Sequence, residues 1–207
     1  MDQVIHFLRT RAWARRTLSG LSALLVIAAV ALLSYPLYTN VYQHRVQNRL
    51  KGQIASPQLK SAYQNHTLKE GDSLTRIKIP KIGVDVVVVQ GTSASALRAG
   101  AGHYTDTPLP CDEGNVAIAG HRTTYGKPFA NIDQLKPGDT ITLTTPVGEC
   151  TYEVAQDPFV ILPNDFSVVA NTPGKHTLTL TACHPKGSAS HRIVIKAREI
   201  TPTASPA

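Results

Sequence analysis

Three regimes of hydrophobic patterning divide the chain. From Leu18 to Tyr38 (LSGLSALLVIAAVALLSYPLY) no charge interrupts 21 residues, a length that at about 1.5 Å per residue crosses the roughly 30 Å hydrocarbon core of a bilayer. A single transmembrane helix over residues 18–38 is predicted. The run is longer than the h-region of a cleavable signal peptide, and no clear small-x-small site follows it. From Val41 to about Asp72 the chain is polar with scattered apolar residues. This reads as an extracytoplasmic stalk over residues 39–73, partly helical near the membrane, that spaces the next segment from the bilayer. From Leu74 to Ile200 short runs rich in Val, Ile and Thr recur: RIKIP, VDVVVVQG, NVAIAGH, DTITLTT, CTYEVA, FVIL, HTLTLTAC and HRIVIKA. Gly, Pro, Asn and Asp punctuate the gaps, as between strands. The expectation is an all-β domain over residues 74–200. Its eight strands suit a closed or nearly closed barrel better than an open sheet with exposed edges. Phe129, Ile132 and Leu135, spaced by three, mark a short helix of one or two turns, so the barrel is expected to carry one or two short helices. Residues 1–17 read as a cytoplasmic N-terminal segment and residues 201–207 (TPTASPA) as a disordered tail.

Charge orients this plan. Arg9, Arg11, Arg15 and Arg16 precede the apolar run against a single Asp2, while Arg45, Arg49 and Lys51 follow it. The positive-inside rule then gives a cytoplasmic N-terminus and an extracytoplasmic domain. Beyond residue 40, 17 basic and 13 acidic residues leave a mildly basic surface. No Arg/Lys-rich run with interleaved aromatics marks a nucleic-acid site. GTSASALRAG lacks the Lys-Ser/Thr and the strand-Gly-helix context of a phosphate loop.

Three cysteines, Cys111, Cys150 and Cys183, leave an odd thiol in an oxidising compartment. Their count does not decide which one is free; a Cys111–Cys150 disulfide follows only if Cys183 has another use. Strand phase bears on that use. In TLTLTAC, Leu178, Leu180 and Ala182 fall on one face and Thr177, Thr179, Thr181 and Cys183 on the other. In HRIVIKA, Ile193 and Ile195 take the core face, leaving Arg192, Val194 and Lys196 opposite. A loop with Pro185 and Gly187 joins these two runs, so Arg192 lies beside Cys183 if they pair as a hairpin. In NVAIAGH, Val116 and Ile118 point inward and His121 ends the strand on the other face. A thiol, an imidazole and a guanidinium on non-core faces are the raw material of covalent acyl transfer. A thiolate attacks, an imidazolium lowers the thiol pKa and protonates the leaving amine, and a guanidinium holds the developing oxyanion. Phase alone equally admits a surface histidine, a salt-bridging arginine and an inert cysteine.

AIAGHRTTYGKPF, TLTACHP and the arginine of SASHRIVI resemble the sortase signature, in which a strand ends in His, a TLxxC strand follows, and the next strand carries an Arg. The resemblance covers about Leu74 to Ile200 with the motifs in family order. It implies an eight-stranded sortase β-barrel with Cys183, His121 and Arg192 as catalytic residues. The implied reaction is transpeptidation: Cys183 attacks the Thr carbonyl of a Leu-Pro-x-Thr-Gly-like sorting signal, Gly leaves, and an amine of lipid II or of a peptidoglycan stem peptide resolves the thioester. GHRTTYGKPF, CHP and the short loop to Arg192 most resemble class E, which is associated with a Leu-Ala-x-Thr-Gly signal and with a tyrosine before the His strand. Tyr104 fits that place, and Thr181 and Thr123 join it as expected substrate contacts. Implied partners are secreted proteins bearing the signal.

Other polar residues carry weaker readings. His184 points away from the Cys183 face and reads as turn chemistry. His103 and His191 lack CxxC or HxxxH spacing, so no metal is expected; no acidic cluster predicts calcium dependence, and no cofactor is implied. Arg122 reads equally as groove or surface. Two rival functions remain: a pilin-polymerising relative using a Lys acceptor, which often carries a second apolar span not seen before TPTASPA, and a tethered β-barrel binding module.

Overall fold

The structure, a computed structural model, describes residues 12–201. Arg9, Arg11, most of the expected cytoplasmic segment and the tail after Thr201 lie outside the described residues. Helix α1 runs from Ala12 to Gln53, and two compact units divide within it, one ending at Thr39 and the other starting at Asn40. In the first unit the apolar side chains are bare: Leu32 is 76% and Leu33 78% exposed. This is a helix long and apolar enough to cross a membrane, which makes it a candidate membrane anchor.

The second unit is a β-barrel. Its strands are β1 (Ser73–Ile79), β2 (Val84–Gln90), β3 (Ala101–His103), β4 (Gly114–Gly120), β5 (Thr140–Thr145), β6 (Gly148–Val154), β7 (Phe159–Ile161), β8 (His176–His184) and β9 (His191–Thr201). They pair in the order β6-β5-β1-β2-β3-β4-β8-β9, and β6 pairs again with β9 to close the ring. Eight strands therefore close the barrel, as expected, but with different membership. FVIL, read as a barrel strand, is β7, which pairs only with the first residues of β9 (Arg192–Val194); β6 takes the later residues of that same strand, Ala197–Thr201. The eighth ring strand is β3, only three residues long and too Gly-rich to show alternation. Inside, Ile77, Ile79, Ile118, Phe129, Ile132, Leu135, Ile141, Leu143, Tyr152, Leu178 and Leu180 form one fully buried cluster.

Part of the expected stalk packs on the barrel. Residues from Asn40 onward dock on the barrel, with Val46 and Leu50 packed on Val87, Val89 and Ala96. Gln47 completes the sheet there. Its Oε1 accepts from Val87 N (2.7 Å), and its Nε2 donates to Val87 O (3.0 Å) and Ala99 O (2.9 Å). The carboxamide thus serves the two backbone groups of Val87 as a neighbouring strand residue would, where β3 has not yet begun. Helix α2 (Pro57–Gln64), capped by Ser56, buries Leu59 and Tyr63. Helix α3 (Ala94–Ala99), capped by Ser93, links the parallel pair β2 and β3.

Candidate active site

Two ladders bring the expected triad together. In the antiparallel β8/β9 pair, Cys183 stands directly opposite Arg192, and facing residues project side chains from the same side of a sheet. In the parallel β4/β8 pair, Gly120 is the partner of Ala182, so His121, the first residue after β4, and Cys183 each follow that last pair by one residue. The partition read from strand phase holds throughout: Leu178, Leu180, Ala182, Ile193 and Ile195 are in the core cluster, and Cys183 is a free, half-buried thiol. The other face is less open than alternation alone implies, since Thr179, Thr181 and Val194 are also buried.

That burial has an identifiable cause. The short helical turn Ser167–Val169 lies over the distal part of this face. Lys196 Nζ donates to Val168 O and to Thr179 Oγ1 (2.8 Å). Thr179 Oγ1 donates to Asn115 Oδ1 (2.7 Å), while Asn115 Nδ2 donates to Val168 O (3.1 Å) and Ala170 O (3.0 Å). Burial among these groups lowers the Lys196 pKa from its ordinary value. Between this closed end and Cys183 lies Thr181, whose Oγ1 is 3.0 Å from the Tyr104 hydroxyl. Two of the expected substrate contacts, Tyr104 and Thr181, therefore touch each other on the Cys183 face. Thr123, the third, is exposed on the loop after His121.

Two of the three catalytic candidates, Arg192 and His121, have neighbours that hold them. Arg192 Nη1 donates to the carbonyls of Ala189 (3.1 Å) and His191 (3.0 Å), which pins the guanidinium at the strand end. His121 is half-buried with the Tyr125 ring 5.6 Å away, and its pKa is lowered by loss of solvent. The loop it opens is closed by Phe129 N donating to His121 O (3.0 Å). The Phe129 ring lies on Gly120, where a Cβ would come within 2.5 Å of it. Arg122 is neither groove lining nor ordinary surface. Its side chain is 2% exposed, bonded to Asp133 (2.8 Å), with Nη1 3.2 Å from His184 Nδ1 and further bonds to Ala130 O. It ties the end of β4 to the β8–β9 turn. His184 takes that structural contact, in keeping with its turn reading. Local periodicity does not report the supporting roles of Arg122 and Tyr125, because both depend on partners distant in sequence or on loop geometry.

A cleft of about 780 Å³ opens elsewhere, lined by Asp112, Glu113, Lys175, His176, Arg198 and Glu199. It lies near the start of β8, about 23 Å along the strand from Cys183, so the triad does not belong to it. Among the described residues no three His, Cys, Asp or Glu side chains converge as a metal site requires.

Known proteins resemble this chain in sequence and fold. The Sortase domain profile matches residues 77–200. Sortase D of Bacillus subtilis is 34% identical over 128 residues, 60% of this chain and 63% of that protein. The sortase SrtE1 of Streptomyces coelicolor is 28% identical over 185 residues, 82% of this chain and 52% of that protein. The chain thus spans less than two thirds of the length of either curated relative. Among solved structures, a Clostridium perfringens sortase D5 transpeptidase superposes with a TM-score of 0.67 at 31% identity, covering 77% of this chain and 98% of that one. Sortase E of Streptomyces avermitilis gives 0.59 at 32% identity, covering 67% and 97%.

Proposed function

The chain belongs to the sortase family, and on that premise we propose that it is a membrane-anchored cysteine transpeptidase, of the class E type, with Cys183, His121 and Arg192 as its catalytic residues. The observation that carries this reading is the register: Cys183 faces Arg192 across one ladder, while His121 and Cys183 each follow the last pair of the parallel ladder by one residue. In the first half-reaction the Cys183 thiolate adds to the Thr carbonyl carbon of a Leu-Ala-x-Thr-Gly or Leu-Pro-x-Thr-Gly signal. The carbonyl oxygen gains the negative charge, for which the Arg192 guanidinium, opposite Cys183 in the β8/β9 ladder, is the proposed partner. The Thr–Gly C–N bond then breaks as the His121 imidazolium gives its proton to the departing Gly amine, leaving a thioester. In the second, an amine of lipid II or of a peptidoglycan stem peptide attacks the thioester, loses a proton to His121 and expels the Cys183 thiolate. One amide is exchanged for another with no net change of oxidation state, so the two half-reactions need no oxidant or reductant.

Selectivity is assigned to Tyr104, Thr181 and Thr123. The Tyr104 hydroxyl, 3.0 Å from Thr181 Oγ1, is a hydrogen-bonding group on the face of β8 that carries Cys183. A backbone N–H at the second signal position, present with Ala and absent with Pro, is a partner for it. The apolar helix supports a single-pass anchor over residues 18–38, with residues 1–17 cytoplasmic and the catalytic domain, residues 74–200, outside.

The test is to incubate the protein with both peptides and an amine acceptor and to seek the acyl-enzyme by mass spectrometry. A thioester on Cys183, lost in Cys183→Ala and accompanied by release of the Gly fragment, is expected. Indistinguishable spectra for wild type and Cys183→Ala would defeat the proposal. Replacing Ala by Pro in the peptide is expected to lower kcat/KM, and an unchanged value removes Tyr104 from the selectivity argument.

A further inference from the structure

We propose that Tyr42 and Gln43, on the part of α1 that docks on the barrel, are positioning residues for the His121 imidazole, acting through Tyr125 and Gly126. The inference rests on the reading of His121 as a catalytic group. It begins with the backbone of the loop that His121 opens. Tyr125, Gly126 and Lys127 have φ of 49°, 70° and 41°; three consecutive residues in the left-handed region, two of them bearing a Cβ, hold that shape only when the surroundings impose it. Hydrogen bonds within the loop, Lys127 N to Thr124 O (2.9 Å) and Ala130 N to Lys127 O (3.0 Å), close its turns. They do not fix the position of the Tyr125 side chain.

That position is set from α1. The Gln43 carboxamide lies against Gly126 so closely that a Cβ there would stand 1.8 Å from Gln43 Oε1. Gln43 is 7% exposed, and its Nε2 has no hydrogen-bond partner among the described residues, so packing on the glycine, rather than polar pairing, places it. One residue earlier, the Tyr42 ring meets Tyr125 edge to face at 6.5 Å and 76°. Tyr125 in turn lies 5.6 Å from the His121 ring, tilted by 37°. Three rings thus stand in series from the helix to the imidazole. The helix itself is immobilised on β2 by Gln47 and by Val46 and Leu50. Edge-to-face contacts are directional, so Tyr42 restricts the rotamers of Tyr125, and Tyr125 walls one side of His121 from solvent. Without that wall the imidazole gains rotational freedom and water, and its affinity for protons rises toward that of a free histidine.

Tyr42→Ala, Tyr42→Phe and, as a control, Asn48→Ala on an exposed position of the same helix test this in the full chain held in detergent micelles. The measurements are kcat and KM for a Leu-Ala-x-Thr-Gly peptide across pH, and titration of the His121 ring by ¹³C NMR. Charged or titratable groups on the surrounding elements are Cys183 and His184 of β8, Arg192 of β9, Arg122 and Lys127 of the loop, and His44 and Arg45 of α1; all stay intact in these variants. Tyr42→Ala is expected to lower kcat about tenfold with KM nearly unchanged and to raise the His121 midpoint. Tyr42→Phe, which keeps the ring edge, and Asn48→Ala are expected to match wild type. A Tyr42→Ala chain with the kcat and His121 midpoint of wild type overturns the inference. Should Tyr42→Ala fail to fold, Tyr42→Leu, which keeps the bulk without the ring, carries the same comparison. If the wild type forms no thioester, the catalytic reading of His121 fails separately, and the NMR midpoints still decide whether Tyr42 governs the ring.

Discussion

His103, the last residue of β3, and His121, the first after β4, both have their protonation behaviour set by loss of water. His103 is fully buried; Nε2 lies 2.8 Å from Pro108 O and 3.0 Å from Thr107 Oγ1, and Nδ1 lies 2.9 Å from the Gln90 carboxamide. Burial brings its pKa down from 6.5 to about 4. Between those values the unfolded chain binds a proton that the folded chain refuses, so stability is intact above about pH 6.5 and is lost as pH falls through the window toward 4. The loss amounts to about 3 kcal/mol at about 1.4 kcal/mol per pH unit. Urea titrations at pH 7 and pH 4.5 are expected to show this drop in wild type and a flatter dependence in His103→Gln; parallel pH dependences would refute it. His121, also depressed, contributes with the same sign. Asp112, whose pKa burial raises, contributes with the opposite sign, which is why the difference between wild type and variant is the quantity to compare. At this scale strand phase made Cys183, Arg192 and Thr181 legible, because a period of two separates faces irrespective of what covers them. The supports of the site, Arg122, Tyr125 and Tyr42, were not legible. Their roles arise from a left-handed loop and from contacts between residues that sequence distance keeps apart.

Elements in this fold are held by side chains acting as backbone. Gln47 closes both polar groups of Val87 from forty residues away, and Asn115, Thr179 and Lys196 fasten the turn Ser167–Val169 over the face next to Thr181. Gln47→Leu keeps similar bulk but strands a buried N–H and C=O, so it is expected to cost about 2 to 3 kcal/mol in chemical denaturation; a change below 0.5 kcal/mol would mean that water replaces the carboxamide. The same docking explains a feature of the sequence. Residues 86–89 (VVVV) read as continuous apolar because Val86 and Val88 meet the barrel core while Val87 and Val89 meet Val46 and Leu50. A strand covered on both faces loses its alternation. The polar stretch after the apolar run therefore concealed a docked helix: Val46 and Leu50 give only a narrow stripe, too sparse to distinguish packing from a solvated stalk. β3 was missed for the complementary reason, since three residues cannot display a period.

Closure of the whole barrel depends on long-range pairings, and one covalent bond shortens the search for them. Cys111, in the connection between β3 and β4, is joined to Cys150 on β6, a sequence separation of 39. Both residues belong to the main core cluster, so the bond ties a loop on one side of the ring to a strand on the other. With Cys183 left free, the three-cysteine arithmetic resolves into one bridge and one thiol, an arrangement suited to the oxidising compartment proposed for this domain. Closing a loop of this length removes about 4 kcal/mol of chain entropy from the unfolded state in the loop-closure model. For a unit of this size that corresponds to a fall in Tm of about 10 °C when the bridge is absent. Calorimetry of a Cys111→Ala/Cys150→Ala protein, whose Cys183 is untouched, is expected to show that fall while the acyl-enzyme still forms on Cys183 at low temperature. An unchanged Tm would mean that strand pairing and core packing alone close the ring, and a mass spectrum of the unreduced wild type with three free thiols would remove the bridge from the account.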